Sequence, residues 1–500
     1  MYDVLIIGAG GAGLSAALEA KKEGAKIAVF CEGYPTRSQT SMAQGGINAA
    51  LANVEEDSIA QHVEDTLKAS GEIGSKKMIL KMCEDAPKII KWLESIGMPY
   101  SRTEDNKIAQ RRLGGASSQR ACYAQDFTGL KILHTLYDQC LKEGIEFLNE
   151  KFLLDLSVEE NVIKGVTVLD IRSTEVEFYK AKTIIIATGG YSALYHGFTT
   201  NTNQSTGDGI TAALNAGAKL SNMEFVQFHP TGLKKSGILI SESARGAGGY
   251  LINQKGERFT DELAPRDQVS RAIYAQLKEG NEVFLDIRHF GEAFIDEHIP
   301  QERKLAITYE GVDPVTELIP IAPVAHYSMG GISVNENMMS SIDGLFAVGE
   351  CAQSGVHGAN RLGGNSLLEI VSFGRLAGLS ASKYSQSVDY QDTEVSMYDI
   401  EEIYNTPNEI NFYEKREELG KELYKNIGIV RDEKSLLSAQ ALILKMEKEL
   451  EVMGLGDRSR VYNTNLTELI KFRNSIALSK IIVQGALDRK VSLGAHYREN

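Results

Sequence analysis

The residues Tyr2 to Ile7 form a short apolar run that ends in Gly8, Gly10 and Gly13, and a helical pattern, GLSAALEAKKEG, starts among those glycines. A second apolar run, AKIAVF, follows and closes on an acid, Glu32. A GxGxxG spacing alone constrains little. Strand, glycine turn, helix, strand and an acid about 20 residues on form a unit with a physical logic. The glycines let a backbone approach closely, the helix N-terminus favours a pyrophosphate, and the acid can accept a ribose hydroxyl. Two later segments, TIIIATGGYS (183–192) and GLFAVGECA (344–352), each run from buried apolar residues into small ones, as strands returning to the same parallel sheet would. Strands spread so far along one chain imply an inserted domain. The expected class is α/β: a Rossmann-like dinucleotide-binding domain (1–222 and 327–385), an inserted α+β capping domain (223–326) and a C-terminal helical domain (386–500). In that last region apolar residues recur at three and four positions in YEKREELGKELYK, SLLSAQALILKMEKELEVM and NLTELIKFRNSIALSK, which predicts an antiparallel helical bundle.

Size and charge narrow the function. Five hundred residues exceed one hydrophobic core and suit about three domains. Fifty-three basic against 67 acidic residues leave a net charge of −14, which argues against nucleic acid or an anionic membrane surface as partner. The chain opens on an apolar strand without a basic leader or long apolar segment, so a cytoplasmic location with no direct membrane span is expected, peripheral at most through partner subunits. Five cysteines, odd in number and without a CxxC pair, read as reduced thiols, with neither a metal site nor an iron–sulfur cluster held by this chain alone.

Polar residues gather at turns and strand ends. The stretch from Asn222 to His326 carries His229 in FHPTG, Ser241, Glu242 and Arg245 in SESAR, Arg266 in APRDQ and His326 in AHYSMGG. The glycine-rich turn HGANRLGGNSLLE adds Arg361 and opens onto a helix that Asn365 and Ser366 could cap. A site that holds an anionic substrate and moves a proton requires cationic or hydrogen-bonding clamps and an acid placed at the reacting atom. These segments can nominate each part.

The HGANRLGGNSLLE turn closely resembles a signature of the flavoprotein subunits of succinate dehydrogenase and fumarate reductase, and HPTG, HYSMGG, SRVYNTNLTE and GAHYREN extend that likeness over essentially the whole chain. The resemblance implies FAD, bound through Gly8, Gly10, Gly11, Gly13, Glu32, Ser38, Gln39, Thr40, Gln44, Gly45, Gly46, Asp208, Glu350, Asn365, Ser366 and Leu367. It implies fumarate or succinate as substrate, one carboxylate on His229 and Ser241 and the other on His326 and Arg361. By the same likeness Arg266 delivers the proton, Glu242 and Arg245 relay it, and Asp267 orients Arg266. A guanidinium is a poor acid in water, so this role needs burial and a relay. Ser241 stands where the family pattern has threonine, which keeps the hydroxyl. Gln39 stands where membrane-bound members carry the histidine of the covalent flavin link; an amide cannot form it, so non-covalent FAD is expected, with a potential that favours fumarate reduction. With no cluster ligands in the chain, electrons would come from an iron–sulfur subunit and a membrane or soluble donor.

L-aspartate oxidase shares the flavin fold, the AQGG loop, FHPT, LAPRD and HGANR. That family has an acid before the paired glycines to meet the substrate ammonium, and Leu113 occupies that position here. Leucine cannot pair an ammonium, and burying that charge alone is costly. Fumarate or succinate is therefore favoured, with the oxidase as the alternative. A flavin subunit that only transfers electrons or supports assembly is a second alternative.

Overall fold

In a computed structural model, residues 1–390 and 398–499 are described. The first strand, Tyr2–Ile7, lies at the centre of a seven-stranded sheet. Ile27–Cys31 pairs parallel on one side and Val176–Ile186 on the other, with Ile6 level with both Val29 and Ile185. Leu345–Ala347 adds parallel to the same strand, setting Phe346 beside Ile185. Both late segments thus return to the sheet that the glycine turn begins. Ile27–Cys31 is also flanked by Glu146–Asn149, and two long antiparallel strands, Lys151–Glu159 and Val162–Asp170, extend the other edge. From Val4 to Ile7 and from Ile27 to Cys31 these strands are buried without a break, as parallel strands covered on both faces must be.

One close crossing holds the glycine turn in place. Helix Gly11–Lys22 packs against the long helix Asn365–Ser387 through small residues. A Cβ on Gly374 would lie 2.6 Å from the Ala12 carbonyl oxygen, and one on Gly378 2.2 Å from that of Ala16. Within the turn itself, Gly8 adopts φ +112° and a Cβ on Gly13 would lie 1.9 Å from the Gly8 oxygen. The crossing joins the start of the chain to the helix that follows the Arg361 turn.

The segment between these sheet strands forms its own antiparallel sheet, ordered Val226–Leu233, Ile319–Ser328, Val283–Asp286, Tyr250–Asn253. Helix Arg266–Lys278 covers it, and Leu233, Val269, Ile273, Leu285 and Ile319 fill a separate core. The C-terminal helices Phe412–Asn426, Glu433–Glu449 and Thr464–Asp488 pack on one another, Gln440 reaching Gln484 and Glu447 reaching Lys480, so the last two run antiparallel. Leu466, Leu469 and Ile482 share a core with Leu5 and Phe30, so the bundle closes over the sheet. Among the described residues, no helix is long and apolar enough to cross a membrane.

The crossing predicts a specific weakness. Gly378→Val would force backbone against backbone and should destabilise the protein by about 1–3 kcal/mol, read as a lower midpoint in urea unfolding; an unchanged midpoint would show that the helices need not approach so closely.

Candidate active site

Two adjoining cavities lie where the sheet, the capping segment and the Arg361 turn meet. The larger, of about 230 Å³, runs from Glu32 past Gly8, Gly10 and Gly11 to Glu350, Ser366 and Leu367. Ser38, Gln39, Thr40 and Asp208 also line it. The hydroxyls of Ser38 and Thr188 are buried there without partners, and the Thr40 hydroxyl accepts the Gly11 N–H at 3.1 Å. A long cleft with glycine backbone in its middle and unsatisfied hydroxyls along it fits a dinucleotide. Burial raises the pKa of Glu32 and Asp208 and pushes Glu350 up to about 7, although Ser328 donates to Glu350 from both its N–H and its hydroxyl.

Several expected cofactor residues are placed differently. Gly13 is buried in the strand–helix contact. Gln44, Gly45 and Gly46 line the smaller cavity instead, held by Arg111, which donates to the carbonyls of Gln44 and Gly45. Asn365 points away from both cavities: its side chain meets Asn48, Thr66 and His62 in a buried network. Neither Asn365 nor Ser366 caps its helix; Gly364, at φ +83°, occupies the cap position, and the Ser366 hydroxyl instead accepts from Arg361. His357 pairs with Glu369 at 2.8 Å inside the same motif and so supports the turn rather than lining a cavity.

The smaller cavity, of about 50 Å³, brings His229, Ser241, Glu242, Arg266, His326 and Arg361 together with Leu113 and Leu367. His229 and His326 stand on adjacent antiparallel strands, interrupted by register shifts beside His229, with ring centroids 5.0 Å apart. Thr231 donates its N–H to Nδ1 of His229, which leaves Nε2–H as the donor of that ring. His326 places Nδ1 against the Thr200 hydroxyl at 2.8 Å. Burial, and then the nearby Arg266, hold both imidazoles well below their usual pKa, so both are neutral hydrogen-bonding groups at pH 7.

Around them lies a buried charge cluster. Arg266, first residue of its helix, donates to Glu242 from Nε at 3.1 Å and from a terminal nitrogen at 2.6 Å. Glu242 also accepts the Gly114 N–H at 2.9 Å and faces Arg245 at 3.5 Å. Gln227 bridges the two cavity arginines, its Oε1 accepting from Arg266 at 3.1 Å and Arg361 at 3.2 Å. Arg361 stacks on the Tyr327 ring, and burial lowers its pKa to about 10. Arg245 and Arg361 both retain buried N–H groups without partners. Three guanidiniums against the single carboxylate of Glu242 leave the cluster two positive charges in excess.

Asp267 does not orient Arg266. It accepts from Arg271 at 2.7 Å and from Asn360 at 2.9 Å, tying the Arg361 turn to the capping helix. Neighbouring helix residues point about 100° apart, which directs Asp267 away from the cavity. Gln227 was absent from the sequence expectations, although a lone amide in the apolar strand VQF was its signal. Lys471, which pairs with Glu32 at the far end of the long cavity, carries no local signal because the two are 439 residues apart.

An FAD binding domain model matches residues 3–367, and a fumarate reductase flavoprotein C-terminal model matches 416–500. The 8-methylmenaquinol:fumarate reductase flavoprotein subunit of Wolinella succinogenes is 39% identical over 100% of this chain and 86% of its own. The chain belongs to the fumarate reductase/succinate dehydrogenase flavoprotein family. The succinate dehydrogenase flavoprotein subunit of Rickettsia conorii is 38% identical, over 100% of this chain and 90% of its own. A solved E. coli quinol fumarate reductase subunit superimposes with a TM-score of 0.94 at 34% identity, covering 100% of this chain and 91% of that one. Membership identifies an oxidoreductase whose cofactor is FAD, which the long cavity fits.

Glu242 is the keystone of the cluster, and its removal should be disproportionate. Glu242→Ala leaves Arg266 and Arg245 buried without a carboxylate and should cost about 3–5 kcal/mol in urea unfolding. Because its pKa is lowered in the fold, its contribution is complete above the unfolded value of 4.5 and is lost as pH falls below that. Glu242→Gln should accordingly flatten the acid limb of the stability profile, and a limb identical to the parent's would contradict the pairing.

Proposed function

We propose that this protein interconverts fumarate and succinate as the flavoprotein subunit of an electron-transfer complex, with flavin binding in 1–222 and 327–385, capping in 223–326 and a helical region in 386–500. The observation that carries this reading is the charge around the smaller cavity: Arg266 and Arg361 in its wall and Arg245 behind Glu242, three guanidiniums against one carboxylate, with unpartnered N–H groups on Arg245 and Arg361, beside Ser366 and Leu367 of the long cavity. A dicarboxylate dianion matches that excess.

His229 and Ser241 hold one carboxylate, His326 and Arg361 the other. Neutral imidazoles donate hydrogen bonds without adding charge, so the arginines set the electrostatics. When bound, FAD supplies hydride to one alkene carbon of fumarate. Arg266 donates a proton to the other carbon and recovers it through Glu242 and Arg245. Glu242 accepts from both terminal and Nε nitrogens of Arg266, which fixes the planar guanidinium and supplies a base at the point of reprotonation. Leu113, buried in the cavity wall, presents no acid for an amino group, which supports fumarate over aspartate. Gln39 donates to the Thr200 carbonyl and accepts from the Thr202 N–H, so its amide secures a loop and offers no nucleophilic nitrogen for a flavin link. FAD is accordingly non-covalent. Electrons enter from an iron–sulfur partner, a reading supported by relatives that are themselves flavoprotein subunits of reductases and dehydrogenases.

Arg266→Ala should reduce fumarate reduction with an artificial donor by at least about 10³-fold, while malonate still perturbs the flavin spectrum. Comparable turnover in the variant would refute the proton-donor role. After acid precipitation, yellow flavin should appear in the supernatant; a coloured pellet would refute the non-covalent assignment.

A further inference from the structure

Two buried carboxyls, Glu302 and Asp126, lie behind the cavity wall, where Asp126 accepts a hydrogen bond from the residue that precedes Glu302. Glu302, on the short helix Pro300–Leu305, is fully buried, and its Oε1 accepts the backbone N–H of Ser241 at 3.0 Å. Its Oε2 has no hydrogen-bond partner. Asp126, from the AQDFTG segment, accepts the Gln301 N–H at 2.7 Å through Oδ2, and its Oδ1 is likewise buried and unpartnered. Arg111 is the cation that acts on both carboxyls, yet its Nε and one terminal nitrogen donate to the carbonyls of Gln44, Gly45 and Gln125, and it makes no hydrogen bond to either carboxyl. Arg303, next along the chain, turns outward to Asp296 and Asp313. Two ionised carboxylates in such an interface repel at low dielectric, so one keeps a proton. Burial first, and then Asp126, push Glu302 up to about 8, which assigns the proton to Glu302 at neutral pH.

Ser241 transmits this to the site. Its hydroxyl caps the helix Glu242–Gly246 by accepting the Ser243 N–H, and the next residue is the carboxylate that holds Arg266. We propose that Glu302 is a positioning residue for dicarboxylate binding: protonated, it lets the capping segment close on Asp126 and fixes Ser241; ionised, it drives the two segments apart and loosens that end of the cavity. The proposal rests on the assignment of Ser241 to a substrate carboxylate.

The linkage has a definite sign. The closed state binds the proton more tightly than the open one, so closure is complete well below the Glu302 titration and is lost as pH rises through it. Malonate stays a dianion across this range, so its dissociation constant, read from the flavin difference spectrum of the holoprotein, isolates the protein's contribution. Between about pH 7 and pH 9 it should rise by up to about tenfold in the parent protein. In Glu302→Gln, whose amide oxygen can still accept the Ser241 N–H, it should stay within about threefold of the parent's pH 7 value across the range. Asp126→Asn should flatten the profile in the same way and serves if the first variant does not fold. Glu350 and Arg361 titrate in parent and variants alike, so only the difference between profiles reports on Glu302. A flat parent profile, or variants that rise in parallel with the parent, would overturn the proposal while leaving dicarboxylate binding intact. No spectral response to malonate at any pH would overturn the substrate reading, and this proposal with it.

Discussion

The buried carboxylate of Glu242 is the interaction on which the site depends. It neutralises part of a cluster of three guanidiniums, accepts the Gly114 N–H from the flavin-binding side and fixes Arg266 by two hydrogen bonds. Burying one of those arginines alone would be expensive, and burying a single ion pair is often no gain over apolar packing. The arrangement is therefore poorly explained as a stabilising device. The reading proposed above gives it a use, since a dianion's two negative charges would complete the balance.

The rest of the fold serves that surface from three directions. The small-residue crossing of Gly11–Lys22 with Asn365–Ser387 couples the glycine turn to the helix following Arg361, so the long cleft and the Arg361 turn share one support. The capping sheet delivers His229 and His326 on paired strands and keeps both neutral by burial. Asp267 and Asn360 tie the capping helix to the Arg361 turn, and Gln227 spans both arginines. The C-terminal bundle adds a contact at the opposite end, where Lys471 reaches Glu32.

The architecture was legible because its signals are local and periodic. The strand–GxGxxG–helix unit, the ATGG and AVGE strand ends and the three helical stretches all follow from apolar spacing and turn residues, and each appears where that spacing directs. The motif residues His229, Ser241, Glu242, Arg266, His326 and Arg361 do converge on one cavity. Less legible were residues whose part depends on direction: Asn365 turns into a polar network, Asp267 serves the Arg361 turn, and Gln44 to Gly46 line the inner cavity rather than the long cleft.

By itself, then, the amino-acid sequence determined the dinucleotide fold, the family and the polar motif residues that meet at one cavity. Those depend on short-range patterns that a reader can count along the chain. Only the tertiary structure decided which groups share hydrogen bonds and charge: Gln227 between two arginines, Lys471 against Glu32 across 439 positions, and Glu302 on the Ser241 N–H. Electrostatic energies depend on separation in space and on exclusion of water, and neither quantity is written in the order of residues.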